Sequence, residues 1–488
     1  MTPTAIALIT AGAVVAVAIA TGLVGAYRKI PDPGEYLVAG RSLGTLLLWL
    51  LLAGEIYTAF TFLGAAGWAY GKGAPVYYIL CYGPVAYIIG YFVMPLAWNV
   101  AKKFNMLTIG DLFATRFASK GLGAFVGLVG FVFLIPYVTL QMTGLQILLG
   151  IAGYGAVDAQ VAVFIAVIIM ASFVFLTGLR GTAWTSVVKD AVVLGGVIFA
   201  GIVLPIHFFG SPAAVIAKVE ALRPGWLTLS SSGTPYNTTW FVSTVVLNAA
   251  SFFLFPQTLM SVFSAKSAQA LRRNYIFLPL YQIMLVLMVF AGLTALLLVP
   301  GITGPDVDTS FMQVVAKFYP PWVVGLIAGA GCLSALVPVS AQLLGASGLV
   351  VKNVFVDLFS WEASEAARAR LMRILVLALA AAALVMWALL KTTLVELLLI
   401  SYNGMAQFIP GVVSAFWWRR ATAWGVGAGI AAGLTVLAFE SKVQTPFGIN
   451  IGLIALAANI AVAIVVSIAT PPLAPQTAAR FRDAAFSD

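Results

Sequence analysis

Long apolar stretches separated by short polar segments run along the whole chain. Thirteen of them are long enough to cross a membrane as helices, because about twenty apolar residues cover the roughly 30 Å hydrocarbon core of a bilayer. The predicted spans are 5–26, 45–70, 76–98, 121–151, 157–178, 182–208, 237–258, 276–300, 320–351, 370–390, 393–417, 422–440 and 449–470. The pattern therefore predicts an all-α, polytopic membrane protein.

Two of these spans are interrupted near their middle. The second contains Gly54, Gly64 and Gly67, and the seventh contains Pro256 followed by Gln257. The two spans begin consecutive blocks of five, and paired interrupted helices in matching halves are typical of transporters built from inverted repeats, with a binding site at the breaks. The alternative is that each Gly or Pro only kinks a helix for packing.

The repeat prediction divides the chain into six segments. They are an N-terminal extra helix with an inner loop (1–44), the first repeat of five helices (45–208), an extracellular loop (209–236), the second repeat (237–420), two C-terminal extra helices (421–470) and a loose cytoplasmic tail (471–488). The first span has no basic residue before it and no clear cleavage site. We therefore expect a retained helix and not a signal peptide.

Composition and charge support this class. Apolar residues make up 62% of the 488 residues and charged residues 9%, against roughly 25% charged in a soluble protein. With the N-terminus outside, nineteen of the 26 Lys and Arg residues lie in inner segments, six lie in outer loops and Lys189 lies within a span. Basic residues collect on the cytoplasmic side. The net charge of +10 thus predicts a cytoplasmic C-terminus in the plasma (inner) membrane, and no nucleic-acid partner.

The residues needed for enzyme chemistry are sparse. One histidine and two cysteines within apolar spans do not form the usual metal sites or a disulfide framework. There is no phosphate-binding G-x-x-x-x-G-K-[ST] motif for ATP, and no serine nucleophile is placed with a histidine base. We expect no catalytic residues, metal, cofactor or obligate protein partner. A membrane sensor would need a signalling domain, for which the inner tail is too short.

Glu55 lies at the centre of the second span, directly after Gly54. A carboxylate at the bilayer centre costs about 2.5–3.5 kcal/mol on insertion scales, so it requires a partner, a cavity or a proton. Burial favours the neutral form of a carboxylic acid. Glu55 is therefore predicted to bind and release a coupling proton. The alternative is a structural carboxylate that caps unwound backbone after Gly54.

Lys189 and Asp190 lie about two turns into the sixth span. Lys189 could pair with Glu55, with Asp190 or with an anionic substrate. It could equally snorkel to the inner membrane interface. Neighbouring positions on a helix point in different directions, so Lys189 and Asp190 need not pair with each other.

Polar residues in otherwise apolar spans are candidate substrate contacts, although many such side chains only bond neighbouring helices. The candidates are Tyr57, Thr58, Thr61, Tyr137, Gln141, Asn248, Pro256, Gln257, Tyr402, Asn403 and Gln407. Thr58, Thr61 and Gln257 rank first because they lie nearest to the breaks.

Several segments resemble the sodium/solute symporter family, whose members share the leucine-transporter fold. GEYLVAGRSLG is similar to the loop before the first core helix, YVTLQMTG to the third core helix, FSAKSAQALRRN to the loop after the seventh span, and LLLISYNGMAQFIPGVVSAFWWRRATAWGVGAG to the tenth core helix. The resemblance covers nearly the whole chain and implies transport by alternating access. Within the family, GEIYTAFTF, TAWTSVVKD, FPQTLMSVFSAKS and SALVPVSAQ resemble the bacterial monocarboxylate permeases, which implies substrates such as lactate, pyruvate or alanine.

The resemblance also implies where sodium-coupled members hold their ion. The matching carbonyls are those of Gly54 and Tyr57, and Ser334 matches a carbonyl-donating position, but Val337 and Pro338 stand where hydroxyl ligands are expected. A hard cation needs several oxygen ligands, so this sodium site is degenerate. We therefore expect coupling to protons rather than sodium, with Glu55, Lys189 and Asp190 as the candidate proton-coupling residues. The alternative is a sodium-coupled symporter of another small organic solute, with the ion held elsewhere.

Overall fold

A computed structural model of the chain describes residues 1–25, 37–231, 235–443 and 445–486. Its long elements are all helices, in agreement with the predicted all-α class. Residues 26–36 of the predicted N-terminal inner loop lie outside the described residues.

The first half of the chain forms nine helices within the described ranges. They are α1 (Pro3–Gly25), α2 (Thr45–Ile56), α3 (Phe60–Gly71), α4 (Tyr78–Lys103), α5 (Ile109–Phe117), α6 (Lys120–Ala152), α7 (Ala159–Ile198), α8 (Leu204–Phe209) and α9 (Pro212–Leu222). The last of these lies within the predicted extracellular loop.

The second half forms twelve more. They are α10 (Thr238–Ser251), α11 (Pro256–Phe263), α12 (Ala268–Phe277), α13 (Pro279–Leu298), α14 (Ser310–Phe318), α15 (Pro321–Leu349), α16 (Glu365–Leu389), α17 (Leu394–Met405), α18 (Ile409–Trp417), α19 (Ala423–Ala438), α20 (Ile451–Ala469) and α21 (Pro475–Ala485). Helix α15 lies at the centre of the bundle, since 94% of the residues in its most apolar 18-residue stretch are buried.

Both predicted interruptions are present. Helices α2 and α3 form one span bent by 54°, and the span from Thr238 to Phe263 is bent by 53° between Leu254 and Pro256. The first break does not begin at Gly54, which lies inside α2. It begins at Tyr57, whose φ of −83° and ψ of 89° leave the helix. The expectation that the glycine marks the break was therefore wrong by three residues.

By length and composition, nine helices of the described residues can each cross a membrane, or eleven if each bent pair counts as one span. The other two predicted spans, 157–178 and 422–440, differ from expectation. Span 422–440 corresponds to the 16-residue α19. Spans 157–178 and 182–208 are not separated, because α7 runs without a break from Ala159 to Ile198. The count of thirteen and the repeat remain predictions.

The segments that connect the helices lie at two opposite ends of the bundle. We call the end formed by 72–77, 210–231, 299–320 and 390–393 the lid end, and the opposite end, formed by 37–44, 104–119, 264–267 and 418–422, the basic end. At the basic end the Leu43 N–H donates to the Ser264 carbonyl over 3.1 Å. This contact ties the start of α2 to the end of α11, so the two interrupted spans are joined there.

The sequence suggested a loose C-terminal tail, but the structure shows a docked helix there. Residues Pro475–Ala485 form α21, with the proline in the first turn, where its missing N–H costs no hydrogen bond. Phe481 is buried and stacks on Phe104, with ring centroids 6.2 Å apart. The aromatic pair docks the tail at the basic end.

Candidate functional site

The carboxyl group of Glu55 connects the two interrupted spans. Its side chain lies in the last turn of α2 and is 7% exposed. Ser261 of α11 donates a hydrogen bond to Glu55 Oε1, and Thr258 lies beside the same carboxyl. Glu55 Oε2 makes no hydrogen bond to a described residue. One oxygen is therefore free to take a proton while the other holds α11.

Lys189 lies against the same turn of α2, on the side of α7. Its Nζ donates to the Gly54 carbonyl over 2.9 Å and lies 3.0 Å from Asp190 Oδ1. The lysine is fully buried, which excludes the snorkelling alternative. Lys189 and Asp190 do form an ion pair, because the flexible lysine stem bends back to its neighbour. Among the described ion pairs, none joins Lys189 to Glu55.

Gly54 makes this approach possible. A Cβ atom at that position would lie 2.9 Å from Lys189 Nζ and 3.1 Å from Ser186 Oγ. Thr182, one turn before Ser186 in α7, shares a hydrogen bond of 3.0 Å with Ser340 Oγ of α15. The predicted degenerate sodium site thus lies among α2, α7 and α15, and an ammonium group occupies one of its carbonyls.

The remaining residues of that predicted site are held within their own helices or by α13. Ser340 Oγ donates to the Val337 carbonyl, and Ser334 Oγ donates to the Gly331 carbonyl, each over 2.7 Å. Pro338 lies inside α15. It has no side-chain oxygen that could bind a cation and no backbone N–H. The Tyr57 hydroxyl contacts the Tyr281 carbonyl at 3.4 Å, so this side chain turns toward α13.

The first break is capped by side chains that were predicted to contact substrate. Thr61 Oγ1 accepts from the Thr58 N–H over 2.9 Å and donates to the Thr58 carbonyl over 2.8 Å. Gln141 Oε1 of α6 accepts from the Ala59 N–H over 3.2 Å. Thr61 and Gln141, and not Glu55, therefore satisfy the unwound backbone. Gln141 Nε2 is left without a hydrogen-bond partner among the described residues.

The second break carries further buried polar atoms. Pro256 is the first residue of α11, where a proline is well tolerated. Gln257 Oε1 and both side-chain polar atoms of Asn248 are buried and make no hydrogen bond within the described structure. Such groups are costly to leave unsatisfied, so they are candidates for contact with a polar ligand or water.

An aromatic wall borders the same break. The Phe255 ring contacts Tyr402 at 4.9 Å and Tyr137 at 5.6 Å between centroids.

Gln407 lies elsewhere, since its Nε2 donates to the Asn403 carbonyl over 3.0 Å and Asn459 of α20 donates to its Oε1. It joins the end of α17 to the C-terminal helices.

Three residues of this arrangement were not singled out from the sequence. Thr182, Ser186 and Ser261 look like ordinary hydroxyls in apolar helices. Thr182 and Ser186 stand seven and three positions before Lys189, a spacing that places all three on one face of a helix. That spacing was the available signal. No comparable signal preceded Ser261.

Comparisons with known proteins agree with this architecture. A model of the sodium:solute symporter family matches residues 36–433. The uncharacterized symporter YhjB of Bacillus subtilis is 38% identical, over 89% of this chain and 91% of its own. A monocarboxylate transport permease protein of Rhizobium johnstonii is 31% identical, over 90% and 91%. More distant relatives, at 25% identity and below, include proline transporters and pantothenate symporters.

The fold is also shared with a solved structure. A substrate-bound, outward-open Na⁺-coupled sialic acid symporter superposes with a TM-score of 0.80, covering 96% of this chain and 98% of that one. Sequence identity between the two is 15%, so the likeness establishes the fold alone.

Proposed function

Because the chain belongs to the sodium:solute symporter family, and is therefore a transporter and not an enzyme, we propose that it imports a small monocarboxylate together with a proton. The observation that carries the proposal is the ammonium group of Lys189 on the Gly54 carbonyl. A fixed positive charge, paired with Asp190 at 3.0 Å, already stands where the family resemblance locates a sodium ligand. A second cation at the same carbonyl would lie beside the ammonium group, compete with it for the carbonyl oxygen and be repelled by it.

The coupling proton is assigned to Glu55. A buried carboxylate is much less costly in its neutral form, and one oxygen of Glu55 has no hydrogen bond from any residue that the structure describes. Protonation would let the carboxyl group remain in the closed protein while the transporter changes conformation. A carboxylate anion carried with one proton moves no net charge, so the loaded transporter would not work against the membrane potential.

The substrate assignment rests on the breaks and on one relative. Gln141 and Asn248 each have an amide donor beside a break that pairs with no described residue, and amide N–H groups are suitable donors to a carboxylate. The start of α11 adds backbone N–H groups and the positive end of a helix dipole. The relative with 31% identity is described as a monocarboxylate transport permease. Thr58 and Thr61 would act indirectly, by shaping the break.

The direction of transport follows from the charge pattern. Nineteen of the 26 Lys and Arg residues lie in the predicted inner segments, to which the loops of the basic end belong, and the positive-inside rule supports a cytoplasmic location for that end. The lid end is then extracellular. Alternating access would open the site first at the lid end and then at the basic end, by movement of the helices that carry the breaks against the others.

A thermal-shift screen tests the substrate class. Purified protein in sodium-free buffer is heated with lactate, pyruvate, acetate, proline or pantothenate. We expect the short monocarboxylates to raise the unfolding temperature, because a bound ligand stabilises the folded state. Protection by proline or pantothenate alone would contradict the assignment.

Glu55→Gln tests the coupling. In sodium-free proteoliposomes, we expect the variant to lose at least about tenfold of the lactate uptake that an inward proton gradient drives, since the amide binds no proton. Exchange of labelled for unlabelled lactate, which needs no net proton movement, should continue. Glu440→Gln, a change at an exposed carboxylate in the loop after α19, is the matched control and should behave like the parent. Unchanged proton-driven uptake in Glu55→Gln, or strict sodium dependence in the parent, would contradict the proposal.

A further inference from the structure

A buried carboxylate at the lid end has no part in the coupling described above. Asp308 belongs to the short segment Gly304–Thr309, which precedes α14 and which we call the lid segment. Its side chain is 1% exposed, although the neighbouring Asp306 is exposed. Burial of one of two nearby acids in a surface segment indicates a specific contact.

That contact is the first turn of α17. Asp308 Oδ2 accepts the backbone N–H of Leu394, the first residue of the helix, over 2.7 Å. The first N–H groups of a helix lack partners within the helix, and a negative charge is favourable there. Thr393 and Glu396 form the helix's own capping box. Asp308 thus supplies an additional cap from a different segment of the chain.

The other carboxylate oxygen packs on the outer half of the first interrupted span. A Cβ atom on Gly67 of α3 would lie 2.3 Å from Asp308 Oδ1 and 2.8 Å from the Asp308 Cα. One on Gly71, a turn later, would lie 2.9 Å from Val307. The lid segment can therefore sit where it does only because α3 has glycines on this face. Asp308 Oδ1 makes no hydrogen bond within the described structure.

We propose that Asp308 is a latch that holds the lid end closed, by joining the lid segment to α17 against the glycine face of α3. The inference rests on the proposed alternating-access function, because an outward opening must separate α3 from the lid segment and α17. Separation would break the bond to Leu394 and hydrate the Asp308 carboxyl group.

The latch is sensitive to pH. Burial raises the pKa of Asp308 to about 7, and the charges of Glu396 and Asp306 act in the same direction, whereas the hydrogen bond from the Leu394 N–H favours the charged form and offsets part of this rise. The acidic groups around Asp308 are Asp306 in the lid segment and Glu396 on α17. Lys391, before α17, lines a cavity of about 290 Å³ together with both aspartates. A second cavity, beside Val307 and Glu396, is lined by Tyr70, Lys72 and Arg223. The residues that α6 contributes to the first cavity are all uncharged.

The direction of the pH effect on lid closure follows from proton linkage. The closed state binds the Asp308 proton more tightly than an open state with an ordinary carboxyl pKa of about 3.9. Closure is therefore fully favoured below about pH 4, and that advantage is lost as the pH rises through about 7. Between pH 6 and pH 8 the open fraction should rise by about tenfold. A proton arriving from the outside would help to close the lid end over the substrate.

The test measures opening directly, in detergent and without substrate. Cys81 and Cys332 are first replaced by Ser and Ala, and Val307→Cys adds a reporter thiol under the latch, where the parent side chain is 4% exposed. Its rate of maleimide labelling is divided by that of Thr303→Cys, an exposed position nearby, which removes the pH dependence of the thiol itself. We expect the ratio to rise about tenfold from pH 6 to pH 8, for the reason given above.

Asp308→Asn keeps the shape of the side chain but binds no proton. In this variant the ratio should be the same at both pH values, whereas the control Asp306→Asn should behave like the parent. Gly67→Ala adds a methyl group that the lid segment cannot accommodate, so its ratio should be high at every pH. A tenfold rise that persists in Asp308→Asn, or a Gly67→Ala variant that folds and labels like the parent, would overturn the latch.

The outcome is independent of the transport assays. The labelling needs neither lactate nor a coupling ion, so a sodium-coupled transporter of another solute could still have the latch. Equally, proton-driven lactate uptake with a pH-independent labelling ratio would remove the latch and leave the proposed function in place.

Discussion

The ion pair of Lys189 and Asp190 shows how a charge is kept inside the bundle. Both side chains are at least 94% buried, and the lysine also donates to the Gly54 carbonyl. Removing one member of a buried pair leaves an uncompensated charge and is far more costly than removing both. The pair should therefore behave as a unit when it is mutated.

Lys189→Met should lower the stability of the protein by about 3–5 kcal/mol, the usual cost of breaking a buried pair from one side. The double variant Lys189→Met with Asp190→Asn should recover part of that loss. Thermal unfolding in detergent measures both. Lys352→Met is the matched control, because Lys352 pairs with Asp357 at 2.7 Å and with Asp111 at 3.3 Å, but its side chain is 31% exposed. Equal losses in Lys189→Met and Lys352→Met would contradict the structural role of the buried pair.

At this scale, the sequence identified the charged residues and missed the hydroxyls. Glu55 and Lys189 stand out because a charge in an apolar span is rare and expensive. Ser261 does not stand out, since serines are common in membrane helices and often bond only to their own helix. The pairing of Lys189 with Asp190 could not be predicted, because it depends on how the lysine side chain folds within a packed site.

The interrupted spans depend on close contact between helices. Gly345 of α15 faces the start of α11, where a Cβ atom would lie 3.1 Å from the Gln257 backbone N and 3.3 Å from its Cα. Backbone atoms cannot move aside as the end of a side chain can. The second break is therefore supported by the absence of a side chain at Gly345.

Gly345→Ala should displace the start of α11 and reduce lactate exchange several-fold, with a smaller effect on folding. Gly12→Ala is the control, because a Cβ atom at Gly12 has no neighbour within 4 Å. Exchange rates and unfolding temperatures of the two variants are compared in the same detergent and lipid. Unchanged exchange in Gly345→Ala would show that the close contact with α11 is not required for function.

The elements themselves were predictable to different degrees. The two breaks follow from Gly and Pro within long apolar runs, but the first break begins at Tyr57 because Thr61 and Gln141 cap the backbone there. Helix α21 was missed because its composition is polar and typical of a loose tail. Its docking through Phe481 depends on a distant partner, Phe104.

For the molecule as a whole, the apolar spans and the family motifs were sufficient to predict a helical symporter. The helix count, the repeat and the orientation depend on where the membrane lies, and remain predictions. The structure places Glu55, which the sequence had singled out, at the crossing of the broken spans, and adds Asp308 at the lid end as a second carboxylate with a different proposed task. Both would take up protons, but only Glu55 would carry one across the membrane.

The most direct test of proton coupling is the pH change outside sodium-free proteoliposomes when lactate is added. We predict that the medium becomes alkaline at once, with about one proton entering for each lactate, and that this movement carries no net current. Adding sodium should change neither the rate nor the stoichiometry. If the medium stayed at constant pH while lactate entered, or if lactate entered only after sodium was added, proton coupling would be contradicted.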